Sequence, residues 1–130
     1  MRRDIQSVTV VVRDYDEAIE YFSSVLDFVV IEDKVIPGQH KRWIRMAPSA
    51  DSVVSIVLGR AADEAQESRI GDQTGGRVFL FLNTDDLDRD HRLLQTRGVT
   101  FVRPPQEFDY GTVAVFRDLY GNLWDLIEGR

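Results

Sequence analysis

An acidic side chain near the end of the chain is the first residue whose position predicts chemistry. Asp125 stands between Trp124 and Leu126, in an apolar stretch that has the composition of a β-strand. Because successive side chains of a strand point to opposite faces, Asp125 faces away from these two neighbours. A carboxylate on the inward face of a strand belongs either to a functional site or to a structural ion pair. Other residues of the chain distinguish these two roles.

Two aromatic residues are candidates for contact with a ligand. Trp43 lies in a predicted strand, where it either stacks on a flat ligand or packs in the core. Tyr110 lies on the loop before the seventh predicted strand, where the rims of clefts are built. The two histidines, His40 in a loop and His91 between charged residues of a helix, are expected at the surface. A histidine-based metal site is therefore not expected.

Composition limits the classes of function. The chain has 130 residues, 43% hydrophobic and 29% charged, which is typical of one globular domain. Its net charge is −6 and its pI is about 4.8, so neither nucleic acid nor an anionic membrane surface is an expected partner. There is no cysteine, which excludes disulfides, thiolate nucleophiles and cysteine-ligated metals and is compatible with a reducing cytoplasm. No signal peptide and no membrane span are predicted.

The first half of the chain predicts one strand, one helix and then three strands. Residues 5–12 are rich in β-branched residues, as strands are. Asp14 and Glu17 are spaced as a capping box with Asp14 as the N-cap, and apolar residues at helical spacing extend the helix to Leu26. Three further strands are predicted at residues 28–31, 40–46 and 53–58.

The second half repeats this order after a polar stretch at residues 61–76, which is typical of a linker. A strand at 78–82 is followed by a helix that Thr84 or Asp85 caps. Later strands are predicted at residues 99–102, 113–116 and 123–127. Pro104-Pro105 is expected to stop the first of them. The chain is therefore predicted to be a tandem duplication of a β-α-β-β-β unit.

These patterns predict an α+β fold in a single domain at residues 1–130. The first module spans about residues 4–60 and the second about residues 77–130. Each module has a four-stranded sheet with one covered face and one open face. Two such sheets are expected to form an eight-stranded, incompletely closed, barrel-like cleft. Ligands would contact the inward positions of that cleft.

Three segments resemble the vicinal oxygen chelate superfamily, which includes glyoxalase I, extradiol dioxygenases and bleomycin-resistance proteins. Residues 8–22 and 25–28 are similar to its first strand and helix, with an aspartate in place of the usual glycine. Arg42-Trp43 is similar to a pair in one subgroup of small members. Residues 118–126 resemble the family's Asp-Pro-x-Gly-Asn-x-Trp-Glu-Leu, with a leucine in place of the proline.

The resemblance implies a metal site whose ligands this chain lacks. Metal-dependent members hold a divalent ion with inward His, Glu or Gln residues, and the corresponding positions here are Ser7, Ser55, Arg77 and Asp125. Serine hydroxyls are weak ligands, and an arginine repels a cation. No metal and no cofactor are therefore expected. We expect instead an ion pair in which Arg77 neutralises Asp125, or an Arg77 that binds an anionic group of a ligand.

Three functions remain open for such a chain, and whether it is an enzyme stays undecided. The first is a metal-free protein that binds a small aromatic or anionic molecule through Arg77, Asp125, Trp43, Ser7, Ser55 and Tyr110. The second is a metal-dependent lyase or dioxygenase with atypical ligands. The third is a metal-independent enzyme with Asp125 as general base, which needs a raised pKa that a neighbouring Arg77 would oppose. The resemblance also implies a homodimer.

Overall fold

The computed structural model describes all 130 residues, which divide into two compact units at residues 1–70 and 71–130. Each unit contains one four-stranded mixed sheet, and the fold is α+β, as predicted. The boundary between the units lies within the stretch predicted as a linker. None of the helices has the length and apolar character that a membrane span requires.

The first unit has the predicted order of one strand, one helix and three strands, followed by a short additional helix. Its elements are β1 (Ser7–Val12), α1 (Tyr15–Ser24), β2 (Val29–Ile36), β3 (Lys41–Ala47), β4 (Ser55–Arg60) and α2 (Glu64–Glu67). The strand order is β1-β4-β3-β2, with β1 parallel to β4 and the other pairs antiparallel. Helix α2 lies inside the predicted linker.

The second unit repeats this topology. Its elements are β5 (Val78–Asn83), α3 (Leu87–Thr96), β6 (Phe101–Phe108), β7 (Gly111–Arg117) and β8 (Leu123–Gly129). The strand order is β5-β8-β7-β6, with β5 parallel to β8 and the other pairs antiparallel. The duplication of a β-α-β-β-β unit is therefore present in the structure.

Helix α1 begins where the sequence predicts. The Asp14 carboxylate accepts a hydrogen bond of 2.8 Å from the Glu17 amide, as an N-cap side chain does. The helix packs on the first sheet, and the fully buried side chains of this unit include Val10, Val12, Ala18, Phe22, Ile44, Met46 and Leu58. One face of the sheet is thus apolar and covered, and the opposite face is left for polar residues.

Helix α3 begins later than predicted. Its N-cap is Asp86, whose carboxylate accepts a hydrogen bond of 3.0 Å from the Arg89 amide. Thr84 instead accepts a hydrogen bond from the Asp86 amide, and Asp85 pairs with Arg89. The buried side chains of this unit include Leu87, Leu94, Ala114, Phe116, Trp124 and Leu126. The prediction of Thr84 or Asp85 as the cap was wrong, because burial of Leu87 places the first turn after Asp86.

The prediction that Pro104 and Pro105 end a strand was also wrong. Strand β6 continues through both prolines, and its register against β7 shifts between Arg103 and Gln106. Because β6 is the last strand of the sheet order, its residues have a hydrogen-bonded neighbour on one side only. An edge position with a bulge is where a strand tolerates proline.

Strand β2 is longer and less buried than the short strand predicted at residues 28–31. Val29 and Val30 are 39% and 44% exposed. The reason is again the position at the end of a sheet, since β2 pairs only with β3 in its sheet. An apolar run of a few residues does not distinguish a central strand from an edge strand.

A buried carboxylate organises the turn between β7 and β8. Asp118 is 6% exposed, and one of its oxygens accepts amide hydrogen bonds of 3.0–3.1 Å from Tyr120, Gly121 and Asn122. The other oxygen accepts bonds of 3.2 Å from the Asn122 side chain and 3.0 Å from the Trp124 indole. Trp124 is buried, so this carboxylate joins the turn to the core. The Asp-x-x-Gly-Asn-x-Trp pattern is therefore a turn-forming motif here.

Replacement of Asp118 by alanine is expected to lower the free energy of unfolding by about 3 kcal/mol, because buried donors lose their charged acceptor. Urea unfolding followed by circular dichroism measures this loss. Asp109→Ala, in the exposed turn between β6 and β7, is the control and is expected to stay within about 0.5 kcal/mol of wild type. Equal losses in the two variants would contradict the anchoring role of Asp118.

Candidate functional site

The open face of the first sheet carries a connected row of polar side chains. Ser7 on β1 and Ser55 on β4 are opposite each other, and their hydroxyl oxygens are 2.7 Å apart. Arg45 on β3 donates through Nη1 to the Ser55 hydroxyl at 3.0 Å and through Nε to Glu32 on β2 at 2.6 Å. The row therefore crosses the whole sheet, and it provides hydrogen-bond partners for both serines.

The charges in this row compensate each other. Glu32 pairs with Arg45 and lies 3.3 Å from the Lys34 amine. The hydrogen bond from Arg45, with smaller contributions from Trp43 and Lys34, holds the pKa of the Glu32 carboxyl below its ordinary range. Trp43 lies on the same face, two positions before Arg45, and is 36% exposed. Part of its ring is thus open to contact, while the charged groups beside it are already paired.

The open face of the second sheet carries a row of mixed character. The strand register places Phe81 opposite Asp125, Asp125 opposite Val115, and Val115 opposite Arg103. Residues opposite each other in a sheet point to the same face. Phe81 is 64% exposed, whereas Asp125 is partly buried. An aromatic ring, a carboxylate and a guanidinium therefore share one surface.

The ion pair predicted between Arg77 and Asp125 is not formed. Neither residue takes part in any ion pair of the structure. Asp125 is aligned with Phe81, and Arg77 stands four positions earlier in the chain, just before β5. Four residues of extended chain correspond to about 13 Å along the strand direction. The comparison with the family's ligand positions did not reveal this separation of Arg77 and Asp125 along the strand direction.

Burial raises the pKa of the Asp125 carboxyl above its ordinary range, and the charge of Arg103 opposes part of that rise. The sequence led us to expect the opposite direction, with Arg77 lowering the pKa of Asp125. That expectation was wrong, because the cation that acts on Asp125 is Arg103 and its effect is smaller than the effect of desolvation.

A cavity of about 460 Å³ opens beside this row. Its lining combines Arg77 and Arg103 with the side chains of Phe81, Val102, Val115 and Leu123. Its volume lies within the range of about 300–1,000 Å³ that is usual for ligand pockets. Arg103, like Arg77, forms no ion pair, so both guanidinium groups keep donors for a ligand.

Tyr110 lies in the turn between β6 and β7 and is 63% exposed. Its ring stacks on Phe108, with centroids 5.4 Å apart and planes inclined by 6°. The histidines differ from each other, since His40 is exposed in a turn and His91 packs edge-on against Phe101 at 4.5 Å. Contact of Tyr110 with a ligand remains a prediction.

Comparison with known proteins places this architecture in a family. Residues 4–126 match the Glyoxalase/Bleomycin resistance protein/Dioxygenase superfamily. The chain belongs to this superfamily. The match begins before β1 and ends within β8, so it includes both β-α-β-β-β modules. The resemblance seen in the sequence is thereby confirmed.

Several known proteins are similar to this chain over nearly their whole length. An uncharacterized protein of Shewanella frigidimarina (strain NCIMB 400) is 54% identical over 128 residues, which cover 98% of this chain and 95% of the relative. The crystal structure of UcmS2 has a TM-score of 0.83 at 30% identity and 98% coverage of both chains. TnmS3, an antibiotic binding protein from Streptomyces sp. CB03234, has a TM-score of 0.79 at 29% identity, with 99% and 98% coverage.

The residues at the metal-ligand positions of the superfamily do not fit a divalent ion in this member. Nowhere do three or more His, Cys, Asp or Glu side chains come together in an arrangement that could hold one. Ser7 and Ser55 are hydrogen bonded to each other, and Ser55 also accepts from Arg45. Arg77 is itself a cation. An ion at Ser55 would have to displace the Arg45 guanidinium and accept neutral hydroxyl ligands in its place.

Sequence reasoning missed the residues that complete each open face. In the first sheet these are Arg45 and Glu32, and in the second they are Phe81 and Arg103. A signal for Arg45 was present, since a residue two positions after Trp43 in a strand shares its face. Arg103 gave no such signal, because the two prolines that follow it predicted the end of the strand.

Asp125→Asn is expected to raise the thermal midpoint at pH 7, because it removes a carboxylate whose charged form is disfavoured by burial. A raised pKa in the folded state means that the ionised carboxyl lowers stability above that pKa. This penalty is absent below the unfolded-state pKa of about 4, so the advantage of the variant should shrink as the pH falls from 7 towards about 3.

Thermal unfolding of Asp125→Asn and wild type at closely spaced pH values measures this difference. Asp109→Asn, in an exposed turn, serves as the matched control for the amide substitution. A stabilisation of Asp125→Asn that is the same at every pH would show that desolvation of the carboxylate is not its cause.

Proposed function

We propose that this chain is a metal-free binding protein that holds a small, flat, aromatic anion on the open face of its second sheet. The observation that carries the proposal is the cavity in which Arg77 and Arg103, neither of them in an ion pair, accompany the exposed ring of Phe81. A guanidinium fork matches the geometry of a carboxylate or phosphate, and an exposed ring offers a stacking surface.

The similarity to TnmS3, which is an antibiotic binding protein, supports a role in binding. The polar row of the first sheet also supports a role in binding. Ser7 and Ser55 were expected to contact the ligand, but their hydroxyls are engaged with each other and with Arg45. We propose that they position Arg45, and that Trp43 offers the exposed part of its ring to a ligand.

The homodimer implied by the superfamily and the cytoplasmic location compatible with the composition remain part of this proposal. Sedimentation equilibrium at several protein concentrations measures the oligomeric state directly. A mass of one chain at all concentrations would contradict the dimer and would leave the binding cavity of the second sheet unaffected.

A second candidate function is proton abstraction by Asp125. The observation that favours it is the raised pKa of this carboxyl, since a general base works best when its pKa approaches the operating pH. The variant Asp125→Asn separates the two functions. A binding protein is expected to keep or improve its affinity for an anion when this negative charge is removed, whereas an enzyme is expected to lose turnover.

Binding of 2-naphthoate, a flat aromatic carboxylate, is the first test of the proposed function. Isothermal titration is expected to show that Arg103→Gln weakens binding about tenfold, because a charge-assisted hydrogen bond is lost. Phe81→Ala is expected to weaken binding about fivefold through the loss of ring stacking. Arg92→Gln on helix α3 and Val53→Ala, where the side chain is 74% exposed, are the controls.

The neutral analogue 2-naphthalenemethanol distinguishes the contribution of the ligand's charge to the affinity from the contribution of its ring. Arg103→Gln should leave its affinity unchanged, whereas Phe81→Ala should weaken it. If both variants bind both compounds as well as wild type does, the ligand site of the second sheet is wrongly assigned.

Metal content tests the other part of the proposal. Protein equilibrated with Ni²⁺, Zn²⁺, Fe²⁺ or Mn²⁺ and then dialysed is expected to retain no stoichiometric ion, because one carboxylate does not make a site. Elemental analysis by mass spectrometry gives the ratio of metal to protein. A ratio of about one ion per chain would overturn the metal-free proposal and favour a metal-dependent lyase or dioxygenase with atypical ligands.

A further inference from the structure

A second, smaller cavity shares Arg77 with the larger one. It encloses about 160 Å³ between the segment 71–77 and the turn before β8, and Arg117, the last residue of β7, also lines it. The larger cavity, of about 460 Å³, is lined by Arg77 as well. Gly76, Arg77 and Leu123 therefore line both cavities, which lie next to each other.

The electrostatic character of the smaller cavity favours an anion. Neither Arg77 nor Arg117 takes part in an ion pair. The acid on its wall is Asp72, so two guanidiniums and one carboxylate leave one net positive charge. An unpaired guanidinium presents a planar fork of N–H donors that binds phosphate, sulfate or carboxylate groups through two parallel bonds.

Three glycines contribute main-chain atoms to the walls of the smaller cavity. Gly71, Gly76 and Gly121 have positive φ angles of 75°, 113° and 104°. A Cβ atom at Gly71 would lie 2.0 Å from the carbonyl oxygen of Tyr120, so only glycine allows these two segments to approach each other.

The size of the smaller cavity suits a single charged group. Its volume of about 160 Å³ is about a third of the 460 Å³ of the larger cavity. A space of this volume has room for a tetrahedral oxyanion, and the larger cavity offers more room for an aromatic body.

We propose that the smaller cavity binds an anionic end group, a phosphate, sulfate or carboxylate, of the ligand whose aromatic body occupies the larger cavity. This inference rests on the proposed function and specifies the class of ligand. Arg77 contacts both parts of the ligand, and Arg117 contacts only the end group. Arg117 is thereby a specificity-determining residue, which selects ligands with a second negative charge.

Inorganic phosphate tests the smaller cavity by itself. In ¹H–¹⁵N spectra of the full chain, phosphate is expected to shift the amide resonances of Gly71, Gly76 and Gly121 saturably. Arg117→Gln should weaken this binding about tenfold, and Arg92→Gln should leave it unchanged. Parallel titrations with sulfate and acetate distinguish the classes of end group. Equal phosphate affinity in wild type and Arg117→Gln would overturn the proposal.

Two naphthoates that differ only in their end group test the link between the cavities. Wild type is expected to bind 6-phosphonooxy-2-naphthoate about tenfold or more tightly than 6-methoxy-2-naphthoate. Arg117→Gln should abolish this preference and leave the affinity for the methoxy compound unchanged. Equal affinity of wild type for the two compounds would contradict the proposed end-group site.

The outcomes separate this inference from the function on which it rests. If the methoxy compound binds through Phe81 and the phosphate group adds nothing, the proposed function stands and the end-group site is wrong. If neither naphthoate binds but inorganic phosphate binds in an Arg117-dependent way, the aromatic site is wrong and the anion cavity stands.

Discussion

The Asp118 carboxylate is the interaction on which the second module depends. It gathers the amides of the turn and the indole of Trp124, and so fixes where β8 begins. The register that follows places Trp124 in the core and Asp125 on the open face beside Phe81. A slip of one residue would exchange these faces and bury the carboxylate among apolar side chains. The open face that lines the larger cavity is thus a consequence of this turn, and the turn itself lines the smaller cavity.

The two modules share a topology but differ in whether the charged side chains on their open faces are paired. In the first, Arg45 is neutralised by Glu32 and held by Ser55, so its donors are used within the protein. In the second, Arg77 and Arg103 form no ion pair. A guanidinium that is already paired gains little from a ligand, whereas an unpaired one gains a charge-assisted bond. The charged side chains of the first sheet are therefore paired within the protein, whereas those of the second sheet keep hydrogen-bond donors available.

The sequence predicts most of the fold because local patterns determine most of it. The cap at Asp14, the periodicity of the helices and the repeated order of elements lie within short segments, and the structure contains them. The site was predicted less well, because its residues are brought together by pairing between strands. The correspondence with family positions placed Arg77 beside Asp125, but the register puts Asp125 in one row with Phe81 and Arg103 instead. Register depends on the turns and bulges that join strands, as the shift beside Pro104 shows.

The prolines of β6 have a consequence for the behaviour of the protein at high concentration. Strand β6 ends the sheet order, and an unprotected strand at such a position is a template for other chains. Pro104 and Pro105 have no amide hydrogen, so a strand arriving from another molecule cannot form a continuous ladder there. The second sheet is therefore protected along β6 against fibrillar growth. The two prolines, which were expected to end a strand, instead lower the tendency of that strand to aggregate.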